Sequence, residues 1–313
     1  MTSSFPPLEG VEQSGKATFA RDLPALKASV IGAAGFIGSH LLRRLRRDGF
    51  DAQALPRDAG SWLGEPLGHV FYCAGVKADH AQRAHDTVSA HVSLLNQVLR
   101  HRGFESLVYL SSTRLYDGLL APLADEDTPL ALNPLQARHL FDLSKATGEA
   151  LCHAAGQGLA RVARLSCVVH GSADAQGFVP RLLRQIESHA ASNDAAAPLR
   201  VDSTPHAARD YVLLDDVLSA LPLIALRGTQ PTYNVASGHN LSNRALFERL
   251  GERSGIHLVA TQQQPAQPAP RVDIRRMAEE FGWRPRPLLD ALPELMCKKA
   301  AETLHEAPTM AAA

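Results

Sequence analysis

The chain has 313 residues, 45 % of them apolar and 20 % charged, which is enough to bury a large core and too well mixed for global disorder. Lysine plus arginine equals aspartate plus glutamate, 32 each, so no net field draws in nucleic acid or an anionic membrane, and a small molecule held in a pocket is the expected partner. Cys73, Cys152, Cys167 and Cys297 contain no C-x-x-C pair and the 14 histidines form no metal-ligand motif, so the sequence offers neither a disulfide framework nor a metal site. Residues 1–27 carry Pro6, Pro7 and several charges and no apolar stretch of a secretion signal, and read as a flexible extension. No apolar run approaches the roughly 18 residues of a spanning helix, so the cytoplasm is the expected compartment.

From residue 28 the chain alternates. Residues 28–31 are a short apolar run that stops at glycine and predict a buried strand. Residues 36–47 predict a helix with Ile37, Leu41, Leu42 and Leu45 on one face and four arginines off it. Strands are expected over 50–55 and 69–73, then a long helix with Ala84, Val88, Val92, Leu95 and Leu99 at helical spacing. A strand over 106–110, a helix over 136–155 and a strand over 161–169 complete the series. Strands alternating with helices of this length mean βαβ units and a parallel sheet. Beyond Gly171 the rhythm breaks into shorter helices, 179–188 and 243–254, and a polar, proline-rich loop over 261–270. The expected architecture is an α/β, Rossmann-type, doubly wound parallel sheet. Residues 28–170 would form the core, and 171–313 mainly a smaller substrate-binding lobe with some segments returning to the core. Ligand would enter above the carboxyl ends of the strands.

The segment VIGAAGFIG places Gly32, Gly35 and Gly38 in the spacing G-x-x-G-x-x-G between an apolar strand and an amphipathic helix. The first glycine permits the tight turn, the second lets backbone amides approach a pyrophosphate, and the third lets helix and strand pack closely.

This stretch, GAAGFIGSHLLRRL, resembles the extended short-chain dehydrogenase/reductase family of NAD(P)-dependent nucleotide-sugar epimerases and dehydratases. Further matches are YCAG (72–75), LSSTRLY (110–116), SKATGE (144–149), RDYVLLDDV (209–217), YNV (233–235) and FGWRP (281–285), so the resemblance runs from about residue 28 to 290. It implies that Gly32, Gly35, Phe36, Ile37, Gly38, Cys73, Ala74, Gly75 and Lys145 hold the cofactor. Where an NAD-dependent member carries an acid at the end of the second strand, this chain has Pro56 followed by Arg57 and Asp58. A guanidinium there can grip a 2′-phosphate, which favours NADP, while Asp58 keeps NAD open. The interval 58–68 is too short for the usual helix and strand, so this edge of the sheet is expected to be trimmed, with Trp62 and Leu63 either covering the adenine or joining the core.

The resemblance also implies a catalytic set. Lys145 matches the lysine that orients the nicotinamide ribose, and Ser112 matches the serine or threonine that hydrogen-bonds the sugar hydroxyl. The acid/base tyrosine would stand four residues before the lysine, where this chain has Phe141, which cannot exchange a proton. Three arrangements stay open: a substitute group acts, either Tyr116, His170 or a water polarised by Lys145; the chemistry needs no tyrosine; or the protein binds cofactor and ligand without turnover. The acidic pair that 4,6-dehydratases use is absent, its positions being Thr113 and Arg114. Epimerisation or carbonyl reduction is therefore expected. Arg209 would contact the substrate diphosphate and Thr113 the sugar. Two family asparagines appear as Cys167 and Thr87, which also leaves room for a small non-sugar carbonyl substrate. Pairing of the helices near 81–99 and 136–155 would make a homodimer.

Overall fold

A computed structural model describes residues 25–305 apart from 57, 63, 77–81, 137–138, 173, 193–195 and 266–268. Arg57, Leu63 and most of the N-terminal extension thus lie outside the described residues.

Strand β1 (Lys27–Ile31) runs into α1 (Phe36–Arg47), then β2 (Asp51–Leu55) and β3 (Gly68–Tyr72). The helix expected over the next segment is continuous in direction but not in pitch: α2 (Ala84–Val88) passes through a single π-helical turn (Ser89–Ser93) into α3 (Leu94–His101). Strand β4 (Phe104–Ser112) follows, longer than its apolar run because Ser111 and Ser112 stay extended. After the short β5 (Leu123–Ala124) comes α4 (His139–Ala155). The single strand expected over 161–169 divides at Ser166 into β6 (Ala160–Leu165) and β7 (Cys167–Val169), which join different sheets. The second half contains α5 (Phe178–Ala190), β8 (Leu199–Val201), β9 (Ala208–Leu213), α6 (Leu214–Arg227), β10 (Thr232–Val235), β11 (Asn240–Ser242), α7 (Asn243–Ser254), β12 (Leu258–Ala260), β13 (Arg271–Val272), α8 (Arg275–Phe281) and α9 (Leu288–His305).

The main sheet has six strands in the order β10-β6-β4-β3-β1-β2, all parallel. Such a sheet is buried on both faces, and β3 and most of β4 are covered throughout. One face packs on α1 and α6 through Leu41, Leu45, Val217 and Leu221, and the other on α3 and α4 through Leu95, Leu99 and Cys152. Helix α6 and strand β10 come from beyond residue 171 yet complete this sheet layer. Tyr233 and Trp283 anchor the returning chain, Tyr233 donating to Glu280 and the Trp283 indole to the Asp216 carbonyl.

The edge beyond β2 is trimmed, as its short interval implies. Trp62 is 4 % exposed and packs with Leu55 and Leu67, its indole donating to the Pro56 carbonyl at 3.0 Å. It is therefore core and does not present a face for adenine. The smaller lobe is a three-stranded sheet, β11-β9-β7, with the parallel pair β8–β12, packed by α5, α7 and α9 around Leu182, Tyr211, Leu246 and Leu292.

Candidate active site

The chain reverses direction across the main sheet at β1, whose neighbours β2 and β3 are reached by connections on opposite faces. The crevice above the carboxyl ends of these strands is the place such folds bind ligand. A cleft of about 340 Å³ lies there. Its near wall is Phe36 and Ile37 at the start of α1, and Cys73, Ala74 and Gly75 after β3. Across from them stand Ser111, Ser112, Phe141 and Lys145, with Gln176 and Gly177 from the second lobe closing the mouth. A larger, more open depression of about 660 Å³ beside α7 contains none of the residues the sequence singles out.

The glycine loop is shaped for an anion. Gly32 sits at φ +84°, and a Cβ there would meet the Ala74 amide nitrogen at 2.6 Å. A Cβ on Gly38 would strike the Gly32 carbonyl, so that glycine lets α1 leave the strand closely. Gly35 differs: a Cβ would find only the Gly32 carbonyl oxygen, at 3.2 Å. That approach to a backbone oxygen is itself tight, and the missing side chain also leaves the loop open to a ligand. Helix α1 has no side-chain cap and no acidic residue in its first turn, so its positive end is left to an outside anion.

Two further groups fit a polar ligand. The hydroxyls of Ser111 and Ser166 are buried, line the cleft and have no hydrogen-bond partner among the described residues. Buried hydroxyls are normally paired, and an outside group that pairs them recovers the cost of their desolvation. Neither was picked out by spacing: Ser111 precedes Ser112 in the same motif, and Ser166 is the residue at which β6 gives way to β7.

Lys145 is 6 % exposed on the inner face of α4. Its Nζ donates to the Leu110 carbonyl at 2.8 Å and lies 4.8 Å from the Tyr109 ring centroid. Gly148, one turn on, has no side chain because the Tyr109 hydroxyl occupies that space, which brings the helix close to the sheet. Burial lowers the ammonium to about 8, against the opposing pull of Glu149. Ser112 caps the turn after β4, its Oγ accepting from the Arg114 amide at 3.1 Å. Phe141 stands one turn before Lys145, its ring 5.2 Å below the Arg114 guanidinium and edge-on to His91 at 5.3 Å. Arg114 Nε in turn lies 3.0 Å from Asp142 Oδ1.

Other expected residues lie outside the cleft lining. Tyr116 is 1 % exposed. Its hydroxyl accepts from Arg164 Nη1 at 2.7 Å and has Asn234 Oδ1 and the Asp125 carbonyl, each at 2.9 Å, as acceptors for its proton. Burial pushes this phenol up to about 12 although Arg164 opposes it. His170 bonds Ser172 and packs against His40 and Phe36 at the cleft edge. Thr113 opens the turn after Ser112. Cys167 is exposed at the start of β7, in register with Tyr211. Arg209, half exposed, faces Asp117 at 3.8 Å and not Asp210, whose carboxylate takes the Ser237 and His239 amides. Thr87 bonds its own helix at the Arg83 carbonyl, and the residue of that helix which reaches the cleft is His91, one turn later.

The sequence model of the NAD dependent epimerase/dehydratase family matches residues 28–236. A dTDP-4-dehydro-6-deoxy-D-allose reductase of Streptomyces bikiniensis is 25 % identical over 307 residues, spanning 85 % of this chain and 93 % of that protein. A dTDP-4-dehydro-6-deoxyglucose reductase of Escherichia coli is 28 % identical over 119 residues, 37 % of this chain and 35 % of its own length. Among solved structures, RMD from Pseudomonas aeruginosa complexed with NADPH superposes with a TM-score of 0.73 at 24 % identity, covering 89 % of this chain and 98 % of that one. A UDP-glucose 4-epimerase from Thermotoga maritima with UDP-glucose does so at 0.69 and 19 %, covering 89 % and 100 %. The glycine loop, the strand ends and the α4 lysine all fall inside the matched span, and the chain belongs to the NAD dependent epimerase/dehydratase family.

Proposed function

We propose that this chain is an NADP-preferring oxidoreductase or epimerase acting on a nucleotide sugar, in the cytoplasm, as a homodimer. The observation that carries it is the single cleft in which the α1 N-terminus, the loop after β3, Ser112 and the buried Lys145 converge. The bound nicotinamide supplies or takes the hydride. Gly32, Gly35, Phe36, Ile37 and Gly38 receive its pyrophosphate, and Cys73, Ala74 and Gly75 form the wall beside it. Lys145 orients the ribose, and Ser112 holds the sugar oxygen that gains or loses charge. Arg57 selects the 2′-phosphate. From beyond the cleft lining, Thr113 would contact the sugar, and Cys167 and Arg209 its diphosphate.

With Phe141 in the tyrosine position, the proton at the sugar oxygen is handled by a water that Lys145 polarises. The engagement of Tyr116 in a buried network and the distance of its pKa from neutrality support this over a Tyr116 base. The pairing of His170 with Ser172 at the cleft edge argues the same way. The absence of acids at Thr113 and Arg114 favours reduction or epimerisation over dehydration, and two relatives named as dTDP-sugar reductases favour reduction. Phe141 also gives substance to a second reading, a module that binds NAD(P) without turnover.

A thermal-shift screen of cofactors with and without dTDP- and UDP-sugars tests the proposal, because a ligand that binds only the folded state raises Tm. A rise with NADPH and a further rise with a keto-sugar nucleotide is expected. A rise with neither contradicts it.

A further inference from the structure

His91 is fully buried in the π-helical turn between α2 and α3. Single π turns inside helices cost hydrogen-bond geometry and recur at functional sites. Here the carbonyls are taken up by the sheet: Tyr72 of β3 donates to the Ala90 carbonyl and Tyr109 of β4 to that of His91, at 3.2 Å. The turn is thereby seated on the two strands that end at the cleft.

The imidazole bridges both cleft walls. Nε2 accepts from the Val76 amide at 3.3 Å, and a Cβ on Gly75 would lie 3.0 Å from this nitrogen. Because Nε2 accepts, Nδ1 carries the proton and donates to Ser144 Oγ at 2.8 Å, which donates in turn to the Phe141 carbonyl at 2.9 Å. The direction of every bond in this chain is fixed from the Val76 amide to α4. The same ring stands edge-on to Phe141.

We propose that His91 is a positioning residue that clips the loop at Gly75 and Val76 to α4, and so sets the spacing between the cofactor wall and Lys145. This rests on the cleft being the dinucleotide site. A histidine is suited to the task because its two nitrogens reach in different directions, one to each wall.

Three variants separate the two bonds. His91→Leu removes both while filling most of the space, His91→Gln keeps an acceptor near the Nε2 position, and His91→Asn keeps a donor near the Nδ1 position. NADPH affinity is read by nicotinamide fluorescence, and amide hydrogen exchange at residues 73–76 is read on the protein without cofactor. His91→Leu is expected to weaken NADPH about tenfold, the effect of one or two lost buried bonds, and to remove the protection of Val76. His91→Gln is expected to restore most of both, and His91→Asn to restore neither. Should His91→Leu fail to fold, Gln against Asn carries the comparison. Unchanged affinity in His91→Leu, or a lower Tm with affinity and Val76 protection intact, overturns the proposal. If Val76 is protected by His91 but the wild type binds no NADPH, the cofactor reading falls and takes the clip's purpose with it.

Discussion

Arg164 and Glu149 form a buried ion pair, with Nη2 2.6 Å from Oε2 and side chains 6 % and 4 % exposed. The pair joins β6 to α4 directly behind Lys145, and Arg164 continues to the Tyr116 hydroxyl and the Glu126 carbonyl. Asn234 of β10 closes the network, its amide donating to Glu126 Oε1 at 2.8 Å. One guanidinium thus ties β6 to three other segments, and Asn234 brings β10 into the network through Glu126 and Tyr116.

From this network we expect a structural part for Tyr116. Tyr116→Phe is expected to cost about 1–2 kcal/mol, since a buried guanidinium loses one acceptor, and to leave turnover within about threefold of wild type. Glu149→Ala strands a buried charge and is expected to cost about 3–5 kcal/mol. Chemical denaturation and initial rates check both. A hundredfold loss of turnover in Tyr116→Phe, with stability unchanged, would assign it the proton after all.

Lys145 sets function against stability. Burial lowers its ammonium from 10.5 to about 8. Between these values the unfolded chain binds the extra proton and the folded chain does not, so stability gained from this group rises with pH from about 8 to 10.5. Below about 8 the charged form is held in both states and the penalty is fully present. Lys145→Met is therefore expected to be more stable than wild type at pH 7, by roughly 2 kcal/mol once the lost bond to Leu110 is set against a desolvation cost of roughly 3 kcal/mol. The difference will shrink as the pH rises above about 8 and reverse by about pH 10.5, where the penalty is gone and only the lost bond remains, while NADPH binding weakens. Melting curves across pH 7 to 10.5 read this, and a variant less stable at every pH contradicts it.

For the cofactor, Arg57 and the missing acid at Pro56 predict that NADP(H) binds about tenfold more tightly than NAD(H), or about 1.4 kcal/mol. Arg57→Ala is expected to erase most of that preference. Calorimetry showing equal affinities, or NAD the tighter, would remove the basis for it.

A homodimer would use the outer surfaces of α2, α3 and α4. Val98, which the helical pattern places on a second face, is wholly buried in the core and contributes nothing outside. Val88, 40 % exposed, and the half-buried Leu94 remain for a partner. Light scattering at micromolar concentration is expected to give the dimer mass. A monomer would mean these side chains only edge the core.

Much of this was legible in the sequence because it rests on short-range patterns. Helix 36–47 appears at its expected bounds since its apolar face and flanking glycines both mark them. Lys145 and Phe141 follow from a fixed spacing on one helix. What was not legible depends on contacts far apart in sequence. The pairing of Arg164 with Glu149 and of His91 with Val76 joins residues 15 apart, and that of Tyr116 with Asn234 residues 118 apart. A tyrosine in a family motif looks the same whether it faces the cleft or a buried arginine. The π turn was invisible because it leaves helical periodicity on either side of it, although it is the turn that carries His91. Trp62 beside a trimmed edge was equally consistent with ligand or core until packing placed it.

The most direct test compares NADPH oxidation by the wild type, Phe141→Tyr and Lys145→Met, each supplied with a panel of 4-keto-sugar nucleotides. Phe141→Tyr adds one oxygen at a site already shaped for an aromatic ring, so overpacking costs little, and the new phenol lies beside a cation that draws it toward the working range. The account predicts that the wild type turns over, that Phe141→Tyr keeps cofactor affinity and transfers hydride faster, and that Lys145→Met abolishes transfer in either background. Wild type and Phe141→Tyr both inert across the panel, while still binding NADPH, would contradict it and leave a binding module.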